Sequence, residues 1–126
     1  MFFSKTSQEV LGKLTYPPES ASMVLGRIEG NFIRVDAIVP FEMPSQSEGR
    51  CIISVSEKLN NNAIGILHTH PHDEILPSDK DIETVSQIFP KRKAVIFMTE
   101  KKSGSWLINP FLLKNNKLTM LESVII

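Results

Sequence analysis

Apolar positions along the chain change period several times, and each change marks an element. Over residues 7–14, Val10, Leu11 and Leu14 fall at helical spacing, which predicts a short helix. Tyr16-Pro17-Pro18 ends it, because proline cannot continue the helical ladder and biases the residue before it toward extended backbone. Residues 19–27 read as a strand, Glu29-Gly30-Asn31 as a turn, and 32–39 as the return strand of a hairpin, with apolar Phe32, Ile33, Val35 and Ala37. The polar, proline-containing stretch 40–50 reads as a surface loop, and 51–55 as another strand. After the turn Asn60-Asn61-Asn62, the run Ala-Ile-Gly-Ile-Leu of residues 63–67 leads into His68. It reads as a central strand buried on both faces.

The second half alternates in the same way. Residues 71–77 read as a loop and 78–89 as a helix, with Ile82, Val85 and Ile88/Phe89 three and four apart. Ser78 and Asp81 have the form of a capping pair, an acid three residues after the N-cap, and Pro90 stops the helix. Residues 93–98 read as a strand and 101–104 as a turn. A strand over 105–113 is expected to break near Pro110. Asn115-Asn116 is a turn, and 118–126 is a last extended or helical piece. Alternating strands and helices predict an α/β fold: a single domain over 1–126, a mixed β-sheet flanked by helices.

Composition narrows the setting. A chain of 126 residues suffices for one core and is short for two. Lys+Arg and Asp+Glu both number 14, so the zero net charge argues against a nucleic-acid partner. The basic clusters Lys91-Arg92-Lys93 and Lys101-Lys102 read as solvated turns at strand ends. Cys51 stands alone, which excludes an intramolecular disulfide and a thiolate-built structural zinc site, and fits a reducing compartment. Because Cys51 precedes Ile52-Ile53, it reads as strand rather than nucleophile. Met1-Phe2-Phe3-Ser4-Lys5 is too short for the apolar segment of a signal peptide, and no run approaches a membrane span. A soluble cytoplasmic protein without membrane contact is the expectation.

Chemistry concentrates in one place. The three histidines, His68, His70 and His72, fall within five residues at the end of the most apolar strand. Side chains two apart on a strand share a side, so His68 and His70 can aim at one point. Neutral imidazole is a common zinc ligand. Asp81 lies one turn into the next helix, and the loop between can bring it back over the strand end. Two His and one Asp leave a position for water, the pattern of a catalytic zinc rather than a closed structural one. A His-x-His pair alone is weak evidence. What carries the reading is the joint pattern, His-x-His-Pro, six residues, then Ser-x-x-Asp, at a strand–helix junction. Thr69 points away by alternation. His72 follows Pro71 and reads as a rim residue, and Asp73 and Glu74 as loop charges.

His68-Thr69-His70-Pro71 followed by Ser78-Asp79-Lys80-Asp81 resembles the signature of the JAMM/MPN+ metalloprotease family. The family also carries a glutamate before an apolar strand ending in glycine, and Pro18-Glu19 through Gly26 matches that spacing. The family usually has glycine where Ser22 stands and more often serine where Thr69 stands; neither change removes a ligand. The resemblance covers nearly the whole chain and implies a layer arrangement like that of cytidine deaminase. It implies one zinc per chain held by His68, His70 and Asp81. It further implies Glu19 as general base and Ser78 as donor to the tetrahedral oxyanion, a use that competes with N-capping.

The implied function is hydrolysis of the isopeptide or peptide bond after the C-terminal tail of a ubiquitin-like modifier. An extended tail can add itself to a sheet edge, and residues 40–50 with 51–55 are the expected edge. The chain lacks room for the second insertion and the additional zinc site of chain-selective relatives, so it is more similar to small prokaryotic members. Two alternatives stand beside this reading: a peptidase trimming a sulfur-carrier precursor, and a non-catalytic MPN scaffold, in which the ligands are typically lost. The apolar end Val124-Ile125-Ile126 packs on the core or joins a subunit interface, which leaves monomer and homodimer both open.

Overall fold

The computed structural model describes residues 1–11, 21–40, 46–47, 50–51, 62–69, 76–90, 92–102 and 104–125. Their elements run β1 (Phe2–Phe3), α1 (Lys5–Leu11), β2 (Ala21–Glu29), β3 (Phe32–Pro40), β4 (Gln46–Ser47), β5 (Arg50–Cys51), β6 (Ala63–Thr69), α2 (Asp79–Ile88), β7 (Ala94–Lys102), β8 (Ser105–Lys114), β9 (Lys117–Met120) and β10 (Val124–Ile125). One mixed sheet takes the order β1-β3-β2-β6-β7-β8-β10, with β9 also on β8. The pairs β1–β3 and β6–β7 are parallel, and the others in this sheet antiparallel. The expected α/β class with a mixed sheet is what the chain forms.

Strand β6 occupies the middle, between β2 and β7, and all seven of its residues are buried. A parallel neighbour needs a crossover, and α2 supplies it between β6 and β7. Alternation along β7 sorts the core. Val95 and Phe97 join one cluster with Val24, Leu67, Ile108 and Leu11 of α1. Ala94, Ile96 and Met98 join the other with Met23, Ile66, Phe111 and Val85 of α2. Close approach at the centre depends on glycine: a Cβ on Gly65 would meet the Val95 carbonyl oxygen at 1.9 Å. Gly26 carries the same constraint on the other side of β2, where a Cβ would meet the Arg34 oxygen at 1.9 Å. The β2–β3 register shifts at Leu25/Gly26.

Several expectations are corrected. The first helix begins at Lys5, two residues earlier than expected, because Ser4 Oγ accepts the Ser7 amide at 3.1 Å and acts as its cap; residues 12–14 lie outside those described. The strand over 105–113 does not break at Pro110. The Pro110 carbonyl accepts from Leu121 N at 2.9 Å. Amide and carbonyl of one antiparallel residue point to the same side, so the missing N–H also faces away from β7, at the gap between β9 and β10. The ladder with β7 loses nothing. Of the two forms expected for 118–126, extended or helical, the described residues take the extended one, as β9 and β10. Within the expected loop 40–50, Gln46 pairs with Cys51 and Ser47 with Arg50 as a two-residue ladder. Of the expected strand 51–55, residues 52–55 lie outside the described residues. Arg92 is not merely solvated: its Nη2 donates to the Ala63 carbonyl at 3.2 Å, and its guanidinium lies 4.9 Å from the Phe89 ring centroid. The turn expected at 101–104 starts later, since β7 continues to Lys102. Among the described residues, no helix is long and apolar enough to cross a membrane.

Candidate functional site

The site grows out of the β6–α2 junction. Ile66 belongs to the cluster beneath α2, and His68, two residues on, shares its side of β6. On α2, Val85 enters the same cluster, and Asp81 precedes it by one turn on the same helix face. Packing Val85 and Ile66 into one core therefore delivers Asp81 to His68. Nε2 of His68 stands 3.5 Å from Asp81 Oδ1, and both side chains are largely buried.

The helix start fixes the other carboxylate oxygen. Ser78 is the N-cap: its Oγ accepts the Asp81 amide at 3.1 Å, while Asp81 Oδ2 accepts the Ser78 amide at 2.9 Å. This is the reciprocal capping box expected from Ser-x-x-Asp. The two acids of the first turn, Asp79 and Asp81, also suit the positive end of the helix dipole. Asp81 thus divides its oxygens, Oδ2 to the cap and Oδ1 toward His68. A hydroxyl has one proton to donate and two lone pairs. Capping uses a lone pair of Ser78 and leaves the proton, so the expected competition between capping and donation does not arise.

This donor set can be tested against a metal. The His68–Asp81 separation exceeds the 2.7–3.2 Å of an N–H···O hydrogen bond. Two ligand atoms at about 2.1 Å from a tetrahedral zinc stand about 3.4 Å apart. The observed spacing fits the edge of such a tetrahedron, and a neutral imidazole with a carboxylate is a zinc-type pair. Among the described residues, no three His, Cys, Asp or Glu side chains form a ligand group. His70 lies outside the described residues, as do Glu19, His72, Asp73 and Glu74. For Glu19 and His70 the adjoining strands are described: Ala21, two after Glu19, pairs with His68, two before His70.

Support for the site comes from strands whose part the motif does not announce. Thr99 of β7 donates Oγ1 to the His68 carbonyl at 2.7 Å, a buried bond that ties the end of β6 to its neighbour. Thr69, which pairs with Thr99, is fully buried; strand alternation turns it to the side opposite His68. In register, Ala21, His68, Met98 and Asn109 form a row across four strands. Asn109 is buried and accepts from Ser123 Oγ at 2.6 Å. Glu100, also buried, follows Met98 by two on the same side of β7. No pattern in the sequence marks Thr99, Glu100 or Asn109, whose burial appears only in the fold.

A mixed α/β sheet whose central strand delivers a histidine to a capped aspartate defines a class, and comparison with known proteins names it. The family model for prokaryotic homologues of the JAB domain, Prok-JAB, matches residues 10–109. The chain belongs to this family, consistent with the JAMM/MPN resemblance of its motif. Members are often metallo-isopeptidases, and some are non-catalytic. Comparison with curated proteins finds no match.

Proposed function

We propose that this chain is a zinc-dependent isopeptidase or peptidase acting after the C-terminal tail of a ubiquitin-like modifier or sulfur-carrier protein. The observation that carries the reading is the pair His68 Nε2 and Asp81 Oδ1 at 3.5 Å, largely buried, with the capping box behind the aspartate. A buried imidazole and carboxylate held at the spacing of zinc ligands favour a metal site over a scaffold. The reading takes 1–126 as one domain whose helices flank the sheet, in the layer order resembling cytidine deaminase. The sorting of Leu11 and Val85 into separate clusters supports this.

His68, His70 and Asp81 would hold the zinc. When bound, a zinc ion supplies Lewis-acid activation of water and of the scissile carbonyl. Glu19 is the general base: it takes the proton of the attacking water and hands it to the leaving amine. The pairing of Ala21 with His68 supports that role, since it brings the start of β2 beside the end of β6. Ser78 donates a hydrogen bond from its hydroxyl to the charge developing on the carbonyl oxygen, and capping, in which Oγ accepts, leaves that donor in place. A cytoplasmic setting fits the modifier substrate. The test is cleavage of ubiquitin-like fusions and isopeptide conjugates by the full chain, with and without chelator. We expect cleavage that chelator abolishes and added zinc restores; chelator-resistant cleavage, or none in zinc-loaded protein, would overturn the reading.

A further inference from the structure

We infer that Ser78 is a positioning residue for the metal ligand Asp81, so that capping of α2 and affinity for zinc are one coupled equilibrium. The inference rests on the zinc site proposed above and goes beyond it, because it gives Ser78 a task in the absence of any substrate.

The geometry is reciprocal. The hydroxyl of Ser78 holds the Asp81 backbone by its amide, and the Ser78 amide holds Oδ2 of the Asp81 side chain. The Ser78 carbonyl in turn accepts from Ile82 N at 3.1 Å, the first bond of the helix. One bond, from the Ser78 amide to Oδ2, fixes the rotation of the carboxylate, the other two hold the helical turn that presents it, and Oδ1 faces His68 Nε2. A carboxylate free to rotate loses conformational entropy when it takes a metal. One already held by the cap has lost it on folding. Partners behind a metal ligand commonly change metal affinity by about 10–100-fold when removed.

Alanine is a poor N-cap, whereas asparagine caps about as well as serine and has no hydroxyl. The two substitutions therefore separate positioning of Asp81 from donation to a substrate. The experiment is chelator competition for zinc on the full chain without substrate. We expect Ser78→Ala to bind zinc about tenfold more weakly than wild type, and Ser78→Asn to return to within about twofold. Wild-type affinity in Ser78→Ala overturns the inference and leaves the proposed function standing. No zinc bound by the wild-type chain overturns both. Equal weakening in Ser78→Ala and Ser78→Asn also overturns it, because the hydroxyl rather than the cap would then matter. Amide hydrogen exchange on the wild-type protein gives a readout independent of any variant's folding. Zinc loading is expected to slow exchange at Ser78 and Asp81 severalfold more than at Val85; equal slowing at all three would count against coupling.

Discussion

At the scale of single residues, the site separates into what a motif announces and what only folding assembles. Ser78 and Asp81 were legible because their bonds span three residues, and short-range hydrogen bonding follows from spacing alone. The approach of His68 to Asp81 was legible as a possibility, since both flank one junction. The grip of Thr99 on the His68 carbonyl was not, because it joins residues 31 apart on strands whose register no local pattern encodes. Glu19 was read only through its family resemblance; a lone carboxylate before a strand otherwise looks like an edge charge. Its proposed role predicts a dissociation of two measurements. Glu19→Gln should keep zinc at the wild-type level and lower kcat/KM by about 10²–10⁴, the range for losing a general base. Turnover of the glutamine variant at the wild-type rate would remove Glu19 from that role.

At the scale of elements, periodicity identified α2, β2, β3 and β6 within a few residues of their bounds, because each is long enough for a repeat to show. It missed β1, a strand of two residues that can carry no period. It misjudged Pro110, since local sequence cannot tell which side of a strand an amide will face. Gly26 illustrates a constraint that spacing hints at and packing explains. The irregularity in register there lets the Arg34 carbonyl come where a side chain would stand. Gly26→Ala must push β2 from β3, and overpacking of this kind costs about 1–3 kcal/mol. Urea unfolding should show a lowered midpoint with an unchanged slope; an unchanged midpoint would mean that the β2–β3 pair yields freely.

At the scale of the molecule, the His68–Asp81 pair bridges the two halves of one strand–crossover unit, and β2 approaches from a hairpin formed earlier in the chain. A metal that engages groups from separate elements binds the folded chain and not the unfolded one, so it adds to stability by mass action. Zinc at about a hundredfold over its Kd would contribute about 2.7 kcal/mol, and chelation should lower Tm by on the order of 10 °C. A midpoint indifferent to chelator would show that the fold holds no ion.

The short outer strands also bear on how this protein behaves among its own copies. Unpaired strand edges recruit other chains, and brevity is a common protection. Nine-residue β3 would present such an edge, yet β1 covers part of it, and Ser4 takes up the next two carbonyls, its amide bonding Val35 O at 2.9 Å and its hydroxyl Asp36 O at 2.7 Å. Ten-residue β8 would present another, and it is split between four-residue β9 and two-residue β10, with proline at the seam. Among the described residues, neither flank of the sheet offers a long continuous template for runaway aggregation. The most apolar strand, β6, thus lies behind β2 and β3 on one side and behind β7 and β8 on the other, where another chain could not extend it.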